Sequence, residues 1–275
     1  MSQFVLPVLF TLFIWWFSTG AILYLDGLPR RTFKWTMAGT TAVLALALGG
    51  LKTSGADASV GGAYCAFTCA ILVWGWQEMA FLLGYVTGPR RLPCPPESVG
   101  WQRARHALQA VLHHELALVV LAIAVLLTTW GAPNQTGWWT YVILWTMRQS
   151  AKLNVFLGVR NLNESFLPLH LKYLQTYFTR RSMNALFPAS IIVSTMFVIP
   201  LWQAALRPGA SDFDLASLTL QASLLTLAIV EHGFLVLPLP SEALWKWGLR
   251  SRDQRARVVV RRVVLPEAVP VQPAD

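Results

Sequence analysis

Apolar runs of the length a membrane helix needs recur along this chain, separated by short polar stretches. Seven of them occupy residues 4–25, 35–51, 62–86, 107–130, 138–158, 185–206 and 218–240. An α-helix rises about 1.5 Å per residue, so about 20 residues cross the roughly 30 Å hydrocarbon core of a bilayer. The pattern predicts an all-α, polytopic membrane protein: a transmembrane domain of about seven helices over residues 1–249, with the second span the shortest. The first run lacks a basic n-region and an Ala-x-Ala-like cleavage site, so it is read as a retained span and not as a signal peptide.

The fifth run breaks the pattern. Its apolar string WWTYVILWTM continues into Arg148, Gln149, Ser150, Lys152 and Asn154 before a full span can end. Each cation near a helix centre costs about 2.5–3.5 kcal/mol, so both are expected to face the bundle interior and to pair. Partners occur at matching depth. The third run carries Glu78, the fourth His113, His114 and Glu115, and the seventh Glu231 and His232. Counted from the basic ends of their helices, Glu78, Glu115, Arg148, Lys152 and Glu231 lie 6 to 10 residues deep. At about 1.5 Å per residue that is one layer, roughly 9–15 Å below the helix ends. Arg148 and Lys152 are four residues apart and share a helix face. With Asn154, these residues form a candidate intramembrane polar layer of three carboxylates against two cations. Buried charges persist when paired and hydrogen-bonded. The layer therefore reads either as a network that fixes helix packing or as a site for a ligand, a pigment or a metal.

The connections divide by charge. Eighteen Lys and Arg residues lie in one set of loops and in the segment after the last span, against Lys52 and Arg207 on the other side. The positive-inside rule then places the N-terminus outside and the C-terminus in the cytoplasm. Two of the inner loops, residues 87–106 and 160–184, are long enough to be ordered. Prolines of GPRRLPCPP stiffen the first. In the second, Leu171, Leu174 and Phe178 recur at i, i+3 and i+7, with Tyr173 and Tyr177 at headgroup depth, which predicts an amphipathic helix on the cytoplasmic surface. Arg90, Arg91, Arg160, Asn161, Asn163, Glu164 and His170 are the candidate residues of a cytoplasmic platform. From residue 250 the chain turns basic and then Pro-rich, and residues 250–275 are expected to be a disordered or interfacial tail.

Composition agrees with the membrane class. Hydrophobic residues make up 55% and charged residues 13% of the chain, about half the charged share of a soluble domain. A net charge of +9 suggests nucleic acid, but the charges sit in short loops between spans, where they orient the protein and meet anionic lipid. Cys65 and Cys69 are a helical turn apart within the third span and Cys94 is in a loop, so the three cysteines read as packing residues, not as a disulfide framework.

Chemistry at the layer is open between several classes. Di-iron sites in helical bundles use Glu-x-x-His pairs, and none occurs here. A neutral histidine can ligate the magnesium of a chlorin, and His113, His114 and His232 have that chemistry. A transporter would use the same acids, yet the chain has no inverted repeat. No metal-ligand set is assigned.

Several long strings carry a resemblance: WWFSTGAILYLDGLPRRTFKW (15–35), GAYCAFTCAILVWGWQEM (62–79), GPRRLPCPP (88–96), HHELAL (113–118), RQSAKLNVFLGVRNLNESFLPLHLKYLQTYF (148–178), MNALFP (183–188) and EHGFLVLPLP (231–240). Over residues 10–250 the chain resembles the PuhE family, photosynthetic complex assembly proteins encoded near the reaction-centre H-subunit gene of purple phototrophic bacteria. The resemblance implies a bacterial inner-membrane protein that assists assembly of reaction-centre and core light-harvesting complexes, or supplies bacteriochlorophyll to them. Its partners would be subunits of those complexes or pigment-synthesis proteins, within membrane lipid. Bacteriochlorophyll or a precursor would be held transiently. The alternative is a membrane enzyme or carrier acting on a bacteriochlorophyll precursor at the polar layer. The family supplies no catalytic residues to carry over.

Overall fold

A computed structural model describes residues 2–252 and contains no β-strand among the described residues. Each of the seven apolar runs is a helix: α1 (Ser2–Asp26), α2 (Phe33–Gly55), α3 (Val60–Leu82), α4 (Gly100–Thr129), α5 (Thr136–Leu157), α6 (Leu186–Ala205) and α7 (Asp212–Phe234). Five of these, α1, α3, α4, α6 and α7, are long and apolar enough to cross a membrane. The chain is thus a multi-pass membrane protein. The expected count of seven exceeds this, because α2 is rich in Gly and Thr between Lys34 and Lys52, and α5 carries Arg148, Gln149, Lys152 and Asn154.

Local chemistry sets the helix ends. Ser59 Oγ accepts from Gly62 N at 3.1 Å to cap α3, and Ser211 Oγ accepts from Asp214 N at 3.0 Å to cap α7, where Asp212 and Asp214 also favour the positive end of the dipole. Asn184 Oδ1 accepts from Leu186 N at 2.8 Å at the start of α6. Gly158, at φ 126°, lets the chain leave α5 in a conformation that a side chain would strain.

Helices α3 and α7 are the most buried of the five apolar spans, and α1 and α6 are peripheral. Between α3, α5 and α7, Phe67, Ile71, Ile143, Met147, Leu220 and Leu224 form one core. A second joins α2 through α5 around Leu51, Val73, Val125 and Tyr141, whose hydroxyl donates to Leu118 O at 2.8 Å. At the end away from the basic loops, Asn134 Nδ2 donates to Ser54 O at 3.0 Å and Asp57 O at 3.1 Å, which ties two connections together.

Three sequence expectations need correction. Helix α4 begins at Gly100 and not at residue 107, so Arg103, Arg105 and His106 are helical; hydropathy detects the apolar part of a helix and misses its continuation beyond the hydrocarbon. The expected surface α-helix is instead a pair of 3-10 segments, Glu164–Phe166 and Leu169–Tyr177. With three residues per turn, its inward face is Leu171, Leu174 and Tyr177, packed on Phe81, Leu82 and Ala110 of the bundle. Phe178 joins a different cluster with Val159, Leu162 and Leu235. The segment lies on protein, and the Tyr177 hydroxyl donates to Leu92 O at 3.0 Å instead of marking the headgroups. Thirdly, the basic tail does not start at residue 250: residues 246–252 are helical and docked, and the rest of the expected tail, 253–275, lies outside the described residues.

Candidate functional site

Helices α1, α3, α4, α5 and α7 surround a cavity of about 650 Å³ near the basic end of the bundle. Its walls are mostly apolar, with Trp74, Phe81, Leu144, Phe156 and Phe234 among them, and the second inner loop closes part of it through Leu162, Phe166 and Leu174. Eight polar side chains of the layer line it: Glu78, His114, Glu115, Arg148, Gln149, Lys152, Glu231 and His232.

The two cations take different acids. Arg148 Nη2 donates to Glu78 Oε2 at 3.3 Å, and Arg148 Nε lies 3.1 Å from Glu78 Oε1 without the alignment of a hydrogen bond. One turn on, Lys152 Nζ donates to Glu115 Oε1 at 2.7 Å, and Gln149 Nε2 donates to Glu115 Oε2 at 2.5 Å. Glu231 has no cation at contact distance among the described residues; its Oε1 accepts from Trp15 Nε1 at 2.9 Å. Every carboxylate of the layer is therefore engaged, and the two ion pairs are only partly withdrawn from open space, with Arg148 42% exposed against 12% for Glu78.

The histidines separate. His113 is exposed on the outer surface of α4 and takes no part in the cavity. His114 is buried against the Phe81 ring at 4.4 Å, and neither ring nitrogen has a hydrogen-bond partner among the described residues. His232 Nδ1 is 2.9 Å from Ala228 O and Nε2 is 2.9 Å from Ser150 Oγ. From Ser150 a second network runs away from the cavity: Ser150 Oγ donates to Ser190 Oγ at 2.9 Å, Asn154 Nδ2 to Ser190 Oγ at 3.1 Å, and Asn184 Nδ2 to Asn154 Oδ1 at 3.1 Å. Asn154 thus joins α5 to the start of α6 and stands behind the cavity wall. No group of three His, Cys, Asp or Glu side chains is arranged to hold a metal among the described residues.

The loop residues mostly hold the loops in place. Arg90 Nε donates to Tyr177 Oη at 2.9 Å, and Asn161 Nδ2 donates to Phe234 O at 2.7 Å and Leu237 O at 2.6 Å. Glu164 pairs with Arg180 at 3.2 Å, and its carbonyl accepts from Lys172 Nζ at 3.0 Å. Asn163 adopts the left-handed conformation and lines the cavity; His170 packs near Phe33 at 6.0 Å. Arg91 and Arg160 stay exposed. The hub that the sequence reading overlooked is Arg103, whose Nη2 donates to Tyr177 O at 2.6 Å and Thr179 Oγ1 at 2.7 Å while its guanidinium covers the Phe156 ring at 4.4 Å.

A second overlooked feature is the clasp formed by residues 241–252 on α1. Arg252 Nη2 donates to Asp26 Oδ1 at 2.6 Å and Oδ2 at 2.7 Å, while its Nη1 and Nη2 reach Ser165 O at 2.5 Å and Phe166 O at 3.0 Å. Trp245 Nε1 donates to Trp16 O at 3.0 Å, and the Trp245 ring meets Trp15 edge-on at 5.2 Å. Gly248 lies so close to Gly20 that a Cβ there would run into backbone. Trp15 links this clasp to Glu231. The signal available in the sequence was Asp26, the one acid of α1.

A family model described as "Protein of unknown function (DUF3623)" matches residues 1–256. A relative from Rhodobacter capsulatus, described as "Uncharacterized 30.4 kDa protein in puhA 5'region", is 39% identical over 276 residues, which covers 97% of this chain and 97% of the relative. No solved structure matches the chain.

Proposed function

The chain belongs to the DUF3623 family, and from that premise we propose that it is an inner-membrane assembly factor for the bacterial photosynthetic apparatus. The observation that carries this reading is the 39% identical relative whose description places it in the puhA 5′ region. It agrees with the resemblance to PuhE, a family encoded near the reaction-centre H-subunit gene. In this reading α2 and α5 also cross the bilayer, giving seven spans with the N-terminus outside and the basic loops in the cytoplasm. Both are long enough: 23 and 22 residues, or about 33–35 Å at the helical rise. Pairing of the α5 cations with Glu78 and Glu115 of neighbouring helices supports a span there.

The geometry favours binding and holding over proton chemistry. Glu78, Glu115 and Glu231 each accept a hydrogen bond from a fixed neighbour. The loops that cover the cavity are tied by Arg90, Arg103 and Asn161, so they offer an ordered surface to partners such as reaction-centre or light-harvesting subunits. A second reading, a carrier for bacteriochlorophyll or a precursor, is favoured by one observation: His114 lines a cavity of about 650 Å³ with no hydrogen-bond partner on either ring nitrogen among the described residues. Purification in mild detergent from pigment-replete membranes separates the two. Co-purifying reaction-centre or light-harvesting subunits without pigment support the assembly factor, and a chlorin at one equivalent supports the carrier. Normal levels of both complexes in a strain lacking the gene would sink both.

A further inference from the structure

Leu108 on α4 and Leu153 on α5 both line the cavity, and each is 52% exposed, which leaves an apolar gap in its wall between these helices. Behind the gap stands Arg148, one edge of its guanidinium on Glu78. Its remaining amino group, Nη1, has no hydrogen-bond partner among the described residues and is not among the buried unsatisfied atoms. Lys152 spends one of its three donors on Glu115 and is 25% exposed.

From this arrangement we infer that the cavity binds a lipid-soluble, electrically neutral molecule with an apolar body and a carbonyl-type acceptor, which enters from the bilayer between α4 and α5 and is read by the open edge of Arg148. The charge pattern selects neutrality. An anion at the open edge of Arg148 would also stand beside Glu78, and a cation there would meet Arg148 itself, so a neutral acceptor is what neither member of the ion pair opposes. A carbonyl oxygen accepts from Nη1 without adding charge. Aromatic walls from Trp74, Phe81 and Phe156 take the apolar body. The inference does not rest on the photosynthetic reading: the same class of ligand would fit whichever complex the protein serves.

Benzophenone carrying an alkyne handle is a suitable probe, being a neutral, apolar ketone that labels nearby C–H bonds on irradiation. With the intact detergent-purified protein, labelling is expected to saturate and to concentrate on the α4 and α5 peptides that contain Leu108 and Leu153. A long-chain dialkyl ketone should displace it, whereas the alkane of equal length and phosphatidylcholine should not. Arg148→Lys keeps the charge beside Glu78 but offers no planar second edge, and should weaken probe binding about tenfold, the loss of one charge-assisted hydrogen bond. Leu108→Trp should block the opening and abolish the label. Label spread without saturation over peripheral α6, equal competition by ketone and alkane, or displacement by phosphatidylcholine would each overturn the inference. Unchanged labelling in both variants would do the same. If either variant melts early, the competition on the wild-type protein decides alone.

Discussion

Arg148 and Lys152 lie one turn apart on α5, yet the structure assigns them to different acids, so the layer is two ion pairs and a tryptophan-held carboxylate. Removing Arg148 leaves Glu78 without its cation in a place only 12% exposed. Arg148→Ala is expected to cost about 3 kcal/mol, the low end for breaking a buried pair, because Arg148 itself is partly open to the cavity. Glu78→Gln added to Arg148→Ala should recover most of that loss, and Glu115→Gln should recover none, read as melting temperature in detergent and as protein level in the membrane. Equal rescue by both would mean that Glu78 is not the particular partner of Arg148. At this scale the sequence was informative about which residues meet: Glu78, Glu115, Arg148, Lys152, Glu231, His114 and His232 do share one cavity. It was uninformative about His113, because adjacent helical positions point about 100° apart and only the neighbours of α4 determine which histidine turns inward.

At the scale of elements, the second inner loop shows how periodicity misleads when the helix type changes. The positions 171, 174 and 178 suit an α-helix on lipid, whereas Leu171, Leu174 and Tyr177 suit a 3-10 helix on protein. Cysteines placed at Leu171 and Leu174 should stay unreactive toward an impermeant thiol reagent even in detergent, where no lipid remains to shield them, and a cysteine at exposed Thr176 should react. Rapid labelling at all three would return the segment to the membrane surface. The clasp of residues 241–252 makes a similar claim. Asp26 is fully buried and its carboxylate rests on Arg252, so Arg252→Ala should cost about 3 kcal/mol by leaving a buried charge unpaired. Gly248→Val should undock the segment through its clash with Gly20, seen as faster hydrogen exchange over residues 246–252 with the exchange of α3 unchanged. The clasp escaped the sequence reading because its partners, Asp26 and Arg252, are more than 200 positions apart, and no local pattern connects them.

For the whole molecule, the proposed topology predicts that a reporter active only in the cytoplasm works when fused after Arg262, and that one active only in the periplasm works when inserted at Pro133 between α4 and α5. The reverse at both points would overturn the orientation. What the sequence determined by itself is the class and the helix inventory. Twenty-residue apolar runs must be helical in lipid, since no water is there to satisfy free backbone groups, and all seven runs are helices. The depth of the ionisable residues was not fixed in the same way, because the helix ends from which it is counted moved: α3 ends at Leu82, α4 begins at Gly100 and α7 ends at Phe234. Tertiary structure alone decided rotation and partnership: which face of α4 turns inward, that Glu78 goes with Arg148 and Glu115 with Lys152, that the inner loops pack on the bundle, and that the far end of the described chain closes on α1. Those choices depend on contacts between residues distant in sequence, whose energies belong to pairs brought together in space and not to either residue alone.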